Sequence, residues 1–103
     1  MKLFRLPEKR PTELVTIKFS YTRRLAESET LVAPAAVSVS VRTGTDAAAG
    51  DMLVGTPVLG ADHVLAMFDG GVAGTQYLLA CLATTSTGQK LALEAILPVA
   101  DPR

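Results

Sequence analysis

The chain has 103 residues, of which 49% are hydrophobic and 19% are charged, and it contains a single cysteine. This length suits one domain with one core, and no apolar run approaches the ~20 residues of a membrane-spanning helix. Because one cysteine cannot form a disulfide within the chain, burial and hydrogen bonds must hold the fold together, as suits a reducing compartment.

The ten basic and ten acidic residues balance, but they are distributed unevenly. Residues 1–24 contain seven basic and two acidic residues, a net charge of +5, and residues 25–103 contain three basic and eight acidic residues, a net charge of −5. The basic segment of residues 1–24 either contacts an acidic surface on another protein or is simply solvated. We expect residues 1–12 to form a basic arm, residues 13–100 a domain, and residues 101–103 a tail. Met1–Pro11 lacks the apolar region of a secretion signal.

Alternation of apolar and polar residues, the period of a β-strand, first appears in Leu14–Tyr21. The same alternation in Val37–Arg42 predicts a second strand, with valines on one face and serines on the other. Between these strands, residues 23–31 predict a loop that leads into a short strand before Pro34 interrupts it. The glycines and alanines of Gly44–Asp51 then predict a connecting loop.

Shorter and more apolar segments follow. Met52–Val58 predicts a short strand, which Pro57 confines to an edge or an end of a sheet. His63–Phe68 and Tyr77–Ala83 are apolar on both faces, which indicates strands that are buried from both sides or covered by a partner. Between them, the three glycines of Asp69–Thr75 predict a tight reversal of the chain.

The last segment, Lys90–Val99, is compatible with either a helix or a strand. Its residues are good helix formers, but alternate apolar residues line one face, and the turn residues Thr84–Gln89 place an antiparallel neighbour directly before it. We therefore expect a strand. Six or seven short strands separated by turns predict an all-β fold, an immunoglobulin-like β-sandwich of about seven strands without a disulfide.

The most specific local feature is Gly74-Thr75-Gln76-Tyr77, in which a tyrosine opens an apolar strand after a glycine-rich turn. In immunoglobulin-like sandwiches a tyrosine at this place turns its hydroxyl back to the upstream backbone. We therefore expect Gly74 and Tyr77 to form a structural corner rather than a catalytic site. The cysteine pair and the tryptophan of antibody domains are missing.

Several segments follow one another in a recognisable order between Lys9 and Val99. They are the strand Thr16–Ser20, the segment Leu25–Leu31, the turn Asp69–Thr75 with Tyr77, the strand end Thr84–Gln89 and the closing strand to Val99. In this order and spacing the sequence resembles a family of small tail-associated proteins of bacteriophages and prophages, described as fiber-tail adaptors. One difference is Lys18-Phe19, where aspartate followed by tryptophan is common.

The resemblance implies a structural subunit of a virion, at the tail or at the joint between tail and fibers, that is assembled in the cytoplasm of the bacterial host. Its implied partners are other tail or fiber proteins and further copies of itself in a ring or complex. With few aromatic residues and no basic excess, the chain is not expected to bind nucleic acid, and we expect no membrane partner.

Two groups of residues are candidates for the interface. The first is Leu78, Ala80 and Leu82, which alternate with the inward set Tyr77, Leu79 and Cys81, although the two faces could be reversed. The second is the basic group Arg5, Lys9 and Arg10.

An alternative function is a free-standing module that binds a glycan or a peptide through loops at one end of the sandwich. That function needs exposed aromatic rings in the loops. The chain has only five aromatic residues, and four of them lie at predicted strand positions, namely Phe19, Tyr21, Phe68 and Tyr77.

The sequence offers little for catalysis. His63 and Cys81 are the only residues of their types, so they cannot fill a zinc site, and Cys81 suits a buried thiol better than a nucleophile. Asp69–Gly71 lacks the lysine of a phosphate-binding loop, and no interleaved acidic loop surrounds Asp62 and Asp69 to hold calcium. We therefore predict no enzyme activity, no metal and no cofactor.

Overall fold

The computed structural model describes residues 3–100, which form seven β-strands and one 3-10 turn at Ala49–Met52. The strands are β1 (Leu3–Arg5), β2 (Leu14–Ser20), β3 (Leu31–Thr43), β4 (Leu53–Leu59), β5 (His63–Asp69), β6 (Thr75–Thr85) and β7 (Lys90–Val99). Within this range no helix is long and apolar enough to cross a membrane. The tail expected at residues 101–103 lies outside the described residues.

The strands form two sheets, one in the order β1-β7-β6-β3 and the other in the order β2-β5-β4. The pair β1 and β7 is parallel, and the other pairs are antiparallel. Strands β3, β6 and β7 lie in one sheet, and β2, β4 and β5 lie in the other. This division is the one found in immunoglobulin-like sandwiches. The predicted all-β fold is therefore confirmed.

The core lies between the two sheets and is built from alternate residues of the strands. In β6 the side chains of Tyr77, Leu79 and Cys81 are fully buried, whereas those between them lie on the opposite face. In β5 the same alternation buries Val64 and Phe68. Because side chains in a strand point alternately to the two faces, a period of two in hydrophobicity produces one buried face on each sheet.

Strand β7 confirms the choice of strand over helix for Lys90–Val99. It pairs with β6 from Thr84 opposite Lys90 to Thr75 opposite Val99, and it also pairs with β1. In the hairpin turn, the amide of Gly88 donates to the carbonyl of Thr85 at 3.0 Å. The two ladders and the burial of alternate side chains outweigh the helical preference of the leucines and alanines.

Strand β3 differs from the prediction. Instead of two short strands separated by Pro34, a single strand runs from Leu31 to Thr43, with a shift in register between Val32 and Ala35. Proline lacks an amide hydrogen, so it interrupts the ladder only locally when its strand lies at the edge of a sheet. The edge position predicted from Pro57 is confirmed, because β4 lies at the end of the smaller sheet.

The described part of the expected N-terminal arm, residues 3–12, lies along the edge of the larger sheet. Beyond β1, the amide of Leu6 donates to the carbonyl of Ile96 at 2.8 Å, and the amide of Lys9 donates to the carbonyl of Pro98 at 2.9 Å. The amide of Ala100 in turn donates to the carbonyl of Lys9 at 3.0 Å. These backbone bonds join this segment to the second half of β7 and to Ala100.

Candidate protein-interaction surface

The predicted interface residues of β6 lie on the side of the four-stranded sheet that faces away from the core, and we call this side the outer face. The pairing of β6 with β3 on one side and with β7 on the other places three rows of residues across this face. The rows are Ala36-Leu82-Ala92, Ser38-Ala80-Glu94 and Ser40-Leu78-Ile96. Leu82 is 43% exposed, and Leu78 and Ala80 are half-buried. Because most of these side chains are short, the outer face is suited to close packing against another protein surface.

The opposite side of β6 faces the core. Tyr77, Leu79 and Cys81 have no exposed surface, so the three candidate residues that alternate with them lie on the outer face. Burial raises the pKa of the Cys81 thiol, which disfavours the reactive thiolate. The hydroxyl of Tyr21 donates to the carbonyl of Cys81 at 2.8 Å, and burial raises the pKa of Tyr21. Cys81 therefore has the environment of a core residue.

The three basic candidates occupy different environments. Arg5 and Arg10 are exposed, and Arg5 lies next to Ile96 at the border of the outer face. Lys9 is only 1% exposed, and its ammonium donates to the carbonyls of Gly70 at 2.7 Å and Arg10 at 2.9 Å. Burial lowers the pKa of Lys9, while the negative charge of Asp69 opposes that shift. Lys9 thus joins the N-terminal segment to the turn between β5 and β6 instead of projecting from the surface.

At the same end of the sandwich, Tyr77 joins two loops. Its hydroxyl accepts a hydrogen bond from the amide of Val72 at 2.8 Å and donates to a carboxylate oxygen of Asp46 at 2.7 Å. Burial and the neighbouring Asp46 raise the pKa of Tyr77. Gly74 has a φ of +84°, which favours glycine, and its amide donates to the carbonyl of Val99 at 2.8 Å. These contacts have the geometry of a tyrosine corner.

Asp46 was not singled out from the sequence. Its other carboxylate oxygen accepts a hydrogen bond from the amide of Ala48 at 2.9 Å, a local turn in which an aspartate two residues before an amide is typical. That local signal predicts the turn. It does not predict the bond to Tyr77, which lies 31 residues further along the chain.

Glu29 organises the other end of the sandwich and was likewise not predicted as important. Its carboxylate accepts hydrogen bonds from the amide of Ala26 at 2.9 Å and from the hydroxyl of Thr87. Next to it, the amide of Ser86 donates to the carbonyl of Thr30 at 2.7 Å. The bonds from Ala26 and Thr87 lower the pKa of Glu29. These hydrogen bonds connect the loop before β3 to the hairpin between β6 and β7.

The lowered pKa of Glu29 predicts an acid-dependent contribution to stability. A carboxyl group whose pKa is lower in the folded state than in the unfolded state stabilises the fold above its unfolded pKa, about 4.3 for glutamate, and loses this effect as the pH falls through the folded pKa. The difference in free energy of unfolding between wild type and Glu29→Gln should therefore be largest near neutral pH and shrink on acidification. Urea unfolding at a series of pH values measures it.

The exposed residue Glu27 in the same loop provides a matched control. The variant Glu27→Gln removes the same formal charge without removing the contacts to Ala26 and Thr87. A wild-type advantage over Glu29→Gln that stays constant from neutral pH to acid would contradict the prediction.

His63 lies beside the acidic residue Asp62. The ring of His63 is 2.8 Å from a carboxylate oxygen of Asp62, and the hydroxyl of Thr22 donates to the other oxygen at 3.1 Å. These two partners lower the pKa of Asp62. In residues 3–100, no three His, Cys, Asp or Glu side chains meet in a group suited to a metal ion.

Comparison with known proteins identifies a family. The model of the family described as "Podophage GP4 fiber-tail adaptor protein gp77" matches residues 9–98. Comparison with curated proteins and with solved structures found no significant match. The matched range includes Lys9, the corner at Tyr77 and the β6 residues of the outer face, so the family pattern extends over almost all of the sandwich.

Proposed function

Since the chain belongs to the podophage GP4 fiber-tail adaptor family, we propose that it joins tail and fiber proteins by packing its outer face against them. The family indicates a structural role in a phage virion. In the proposed function, the chain acts by protein–protein contact alone, without catalysis or a cofactor. It is assembled with its partners in the cytoplasm of the bacterial host, and several copies associate in a ring or complex.

The observation that carries this proposal is the composition of the outer face. Leu82 lies on the central strand β6 between Ala36 and Ala92 of the neighbouring strands, and it is 43% exposed. A leucine flanked by two alanines forms a low apolar ridge that a partner surface can cover. The core of a protein interface is more apolar than its rim, where polar and charged residues lie.

Charged residues lie within the outer face as well as around it. Glu94 belongs to its middle row, on β7 between Ala80 and Leu3, and Arg5 lies at the β1 border. Arg10 is exposed at one end of the sandwich, beyond the strands. Charges at the rim orient partners and increase association rates more than they increase affinity. We propose that Arg5 and Arg10 contact acidic groups of the tail or fiber partner, whereas Lys9 supports the segment that carries them.

The substitution Leu82→Glu tests the proposed surface. A carboxylate at the centre of the interface would be buried without a partner, so the affinity for tail or fiber proteins of the same phage should fall at least ~10-fold, since each 1.4 kcal/mol corresponds to a factor of ten. Co-purification followed by a titration with the isolated partner measures this affinity.

Met67→Glu is the matched control, because Met67 is 40% exposed and lies on the central strand β5 of the other sheet. It should bind as wild type does. The proposed surface is wrong if Leu82→Glu binds with wild-type affinity while its circular-dichroism spectrum is unchanged, or if the two variants lose binding equally.

The alternative of a glycan- or peptide-binding module is less well supported. Phe19, Tyr21, Phe68 and Tyr77 are all buried, and Phe4 lies in β1 instead of in a loop. Loops without exposed aromatic rings lack the flat apolar surfaces on which sugars stack. Reproducible and saturable binding on a glycan array would favour this alternative over the adaptor function.

A further inference from the structure

A groove opens between the edge strands β1 and β2, which belong to different sheets and do not pair with each other. Its volume is about 280 Å³, and its walls are formed by residues 4–6 and 17–20. The buried residues Leu93 and Ala95 of β7 form its floor. This volume lies just below the ~300–1,000 Å³ of pockets for small molecules, so the groove has room for roughly one large side chain of a bound segment.

The groove is mostly apolar, and part of its apolar surface is open to solvent. Phe4 lies opposite Ala95 in the ladder between β1 and β7, and it is 45% exposed. Ile17 on the facing wall is half-buried. Because β1 has only three residues, it covers this side of the sandwich over a short distance. An apolar side chain inserted here would remove the exposed parts of Phe4 and Ile17 from water.

The charged residues that line the groove are all positive. They are Arg5 and Lys18, and both are exposed. Within residues 3–100, neither of them forms an ion pair with a carboxylate. The exposed Arg24 lies beside the groove, because its guanidinium donates to the carbonyl of Ala92 at 3.4 Å, directly before Leu93. Three cations therefore lie along one apolar opening.

Two acidic residues near the groove do not offset this charge. Glu94 belongs to the outer face, on the opposite side of β7 from the floor of the groove. Hydrogen bonds from His63 and Thr22 lower the pKa of Asp62, and the charge of Lys18 contributes less to this shift. The carboxylate of Asp62 is thus already bound by two neighbours. The positive charge of the groove favours a negatively charged ligand.

The combination of these properties indicates the chemistry of the ligand. The apolar floor suits a large apolar side chain, and the cations suit carboxylates on either side of it. Strand β2 lies at the edge of its sheet, so its backbone groups are placed to bind the main chain of an extended segment. A lysine on an edge hinders pairing with most strands, but an acidic residue opposite Lys18 would be favourable.

We propose that the groove between β1 and β2 binds an extended acidic segment of a tail or fiber protein, which inserts one large apolar side chain between the sheets. Carboxylates of the segment contact Arg5, Lys18 and Arg24. This contact is additional to the outer face, and it rests on the proposed function for the identity of the partner. Arg5 lies at the border of both surfaces, so one partner can reach both.

Overlapping short peptides that cover the tail and fiber proteins of the same phage test the groove with the purified full chain. The peptides that bind are expected to be acidic and to contain a large apolar residue. Fluorescence anisotropy then measures the dissociation constant of one such peptide in solution. Replacement of its apolar residue by alanine is expected to raise this constant at least ~10-fold, because no large side chain then enters the groove.

Charge reversal on the chain provides a second readout. Arg5→Glu/Lys18→Glu is expected to raise the dissociation constant of the peptide at least ~10-fold at low salt, where screening is weakest. Arg42→Glu/Lys90→Glu is the matched control, since it changes the net charge equally at two exposed residues outside the groove. The control should bind nearly as wild type does. Circular dichroism checks the fold of both variants.

Four results would overturn the proposed groove. They are binding of no acidic peptide, unchanged binding after removal of the apolar residue, equal losses in the two double variants, and an effect of Arg5→Glu/Lys18→Glu on self-association but not on peptide binding. The last result would place a second copy of the chain in the groove.

A binding assay with intact tail and fiber proteins separates this inference from the proposed function. Intact proteins that bind wild type and Arg5→Glu/Lys18→Glu equally well overturn the groove alone. Acidic peptides that bind in the groove, when no intact tail or fiber protein binds the chain, overturn the adaptor function alone.

Discussion

Leu79→Ala is expected to lower the free energy of unfolding by about 2–5 kcal/mol, the range for removal of a buried leucine side chain that leaves a cavity. Leu79 has no exposed surface and lies on the central strand β6, opposite Val39 on one side and Ala95 on the other. Its side chain faces the second sheet, so alanine at this position would remove contacts between the two layers. Urea unfolding followed by circular dichroism measures the change.

Leu82, three residues further along the same strand, provides the control. Because Leu82 is 43% exposed on the outer face, Leu82→Ala should change the stability of the isolated chain by no more than ~0.5 kcal/mol, as is usual for surface substitutions. Equal losses in the two variants would contradict the assignment of the two faces of β6.

Tyr77→Phe is expected to lower the free energy of unfolding by about 1–3 kcal/mol, the cost of leaving hydrogen-bonding groups without their partner. The substitution removes only the hydroxyl, which accepts from the amide of Val72 and donates to Asp46. The ring stays in place, so the variant tests the proposed corner without creating a large cavity. Thermal and urea unfolding both measure the loss.

A double-mutant cycle with Asp46→Ala measures how much of the stability lost in Tyr77→Phe comes from the hydrogen bond between Tyr77 and Asp46. If the contact between the Tyr77 hydroxyl and Asp46 contributes to stability, the effects of the two single substitutions will not add. A Tyr77→Phe variant as stable as wild type would show that the hydroxyl is not needed, and the corner would then depend on the packing of the ring alone.

Most strands could be predicted from the sequence because alternation is a local property. Leu14–Tyr21 and Val37–Arg42 contain regular apolar and polar positions; the first extends one residue beyond β2, and the second lies within β3. Where both faces are apolar, as in Tyr77–Ala83, the pattern predicts a strand but does not identify its core side. The structure identifies that side through the complete burial of Tyr77, Leu79 and Cys81.

The environment of long polar side chains could not be predicted in the same way. Lys9 belongs to a basic segment, yet its ammonium binds the carbonyl of Gly70, which lies 61 residues away. Glu29 binds Thr87 across 58 residues. Nothing in the immediate neighbourhood of Lys9 or Glu29 in the chain distinguishes them from the exposed Arg10 and Glu27.

The sequence by itself determined the class of fold, the positions of the turns and, through the order of its segments, the kinship with fiber-tail adaptors. These properties follow from side-chain alternation, glycine conformation and the spacing of elements, all of which can be read along the chain. Only the tertiary structure decided which strands share a sheet, which edge of β3 pairs with no strand of residues 3–100, and that Lys9 is buried. Each of these depends on groups that are distant in sequence and are brought together by burial and backbone hydrogen bonding.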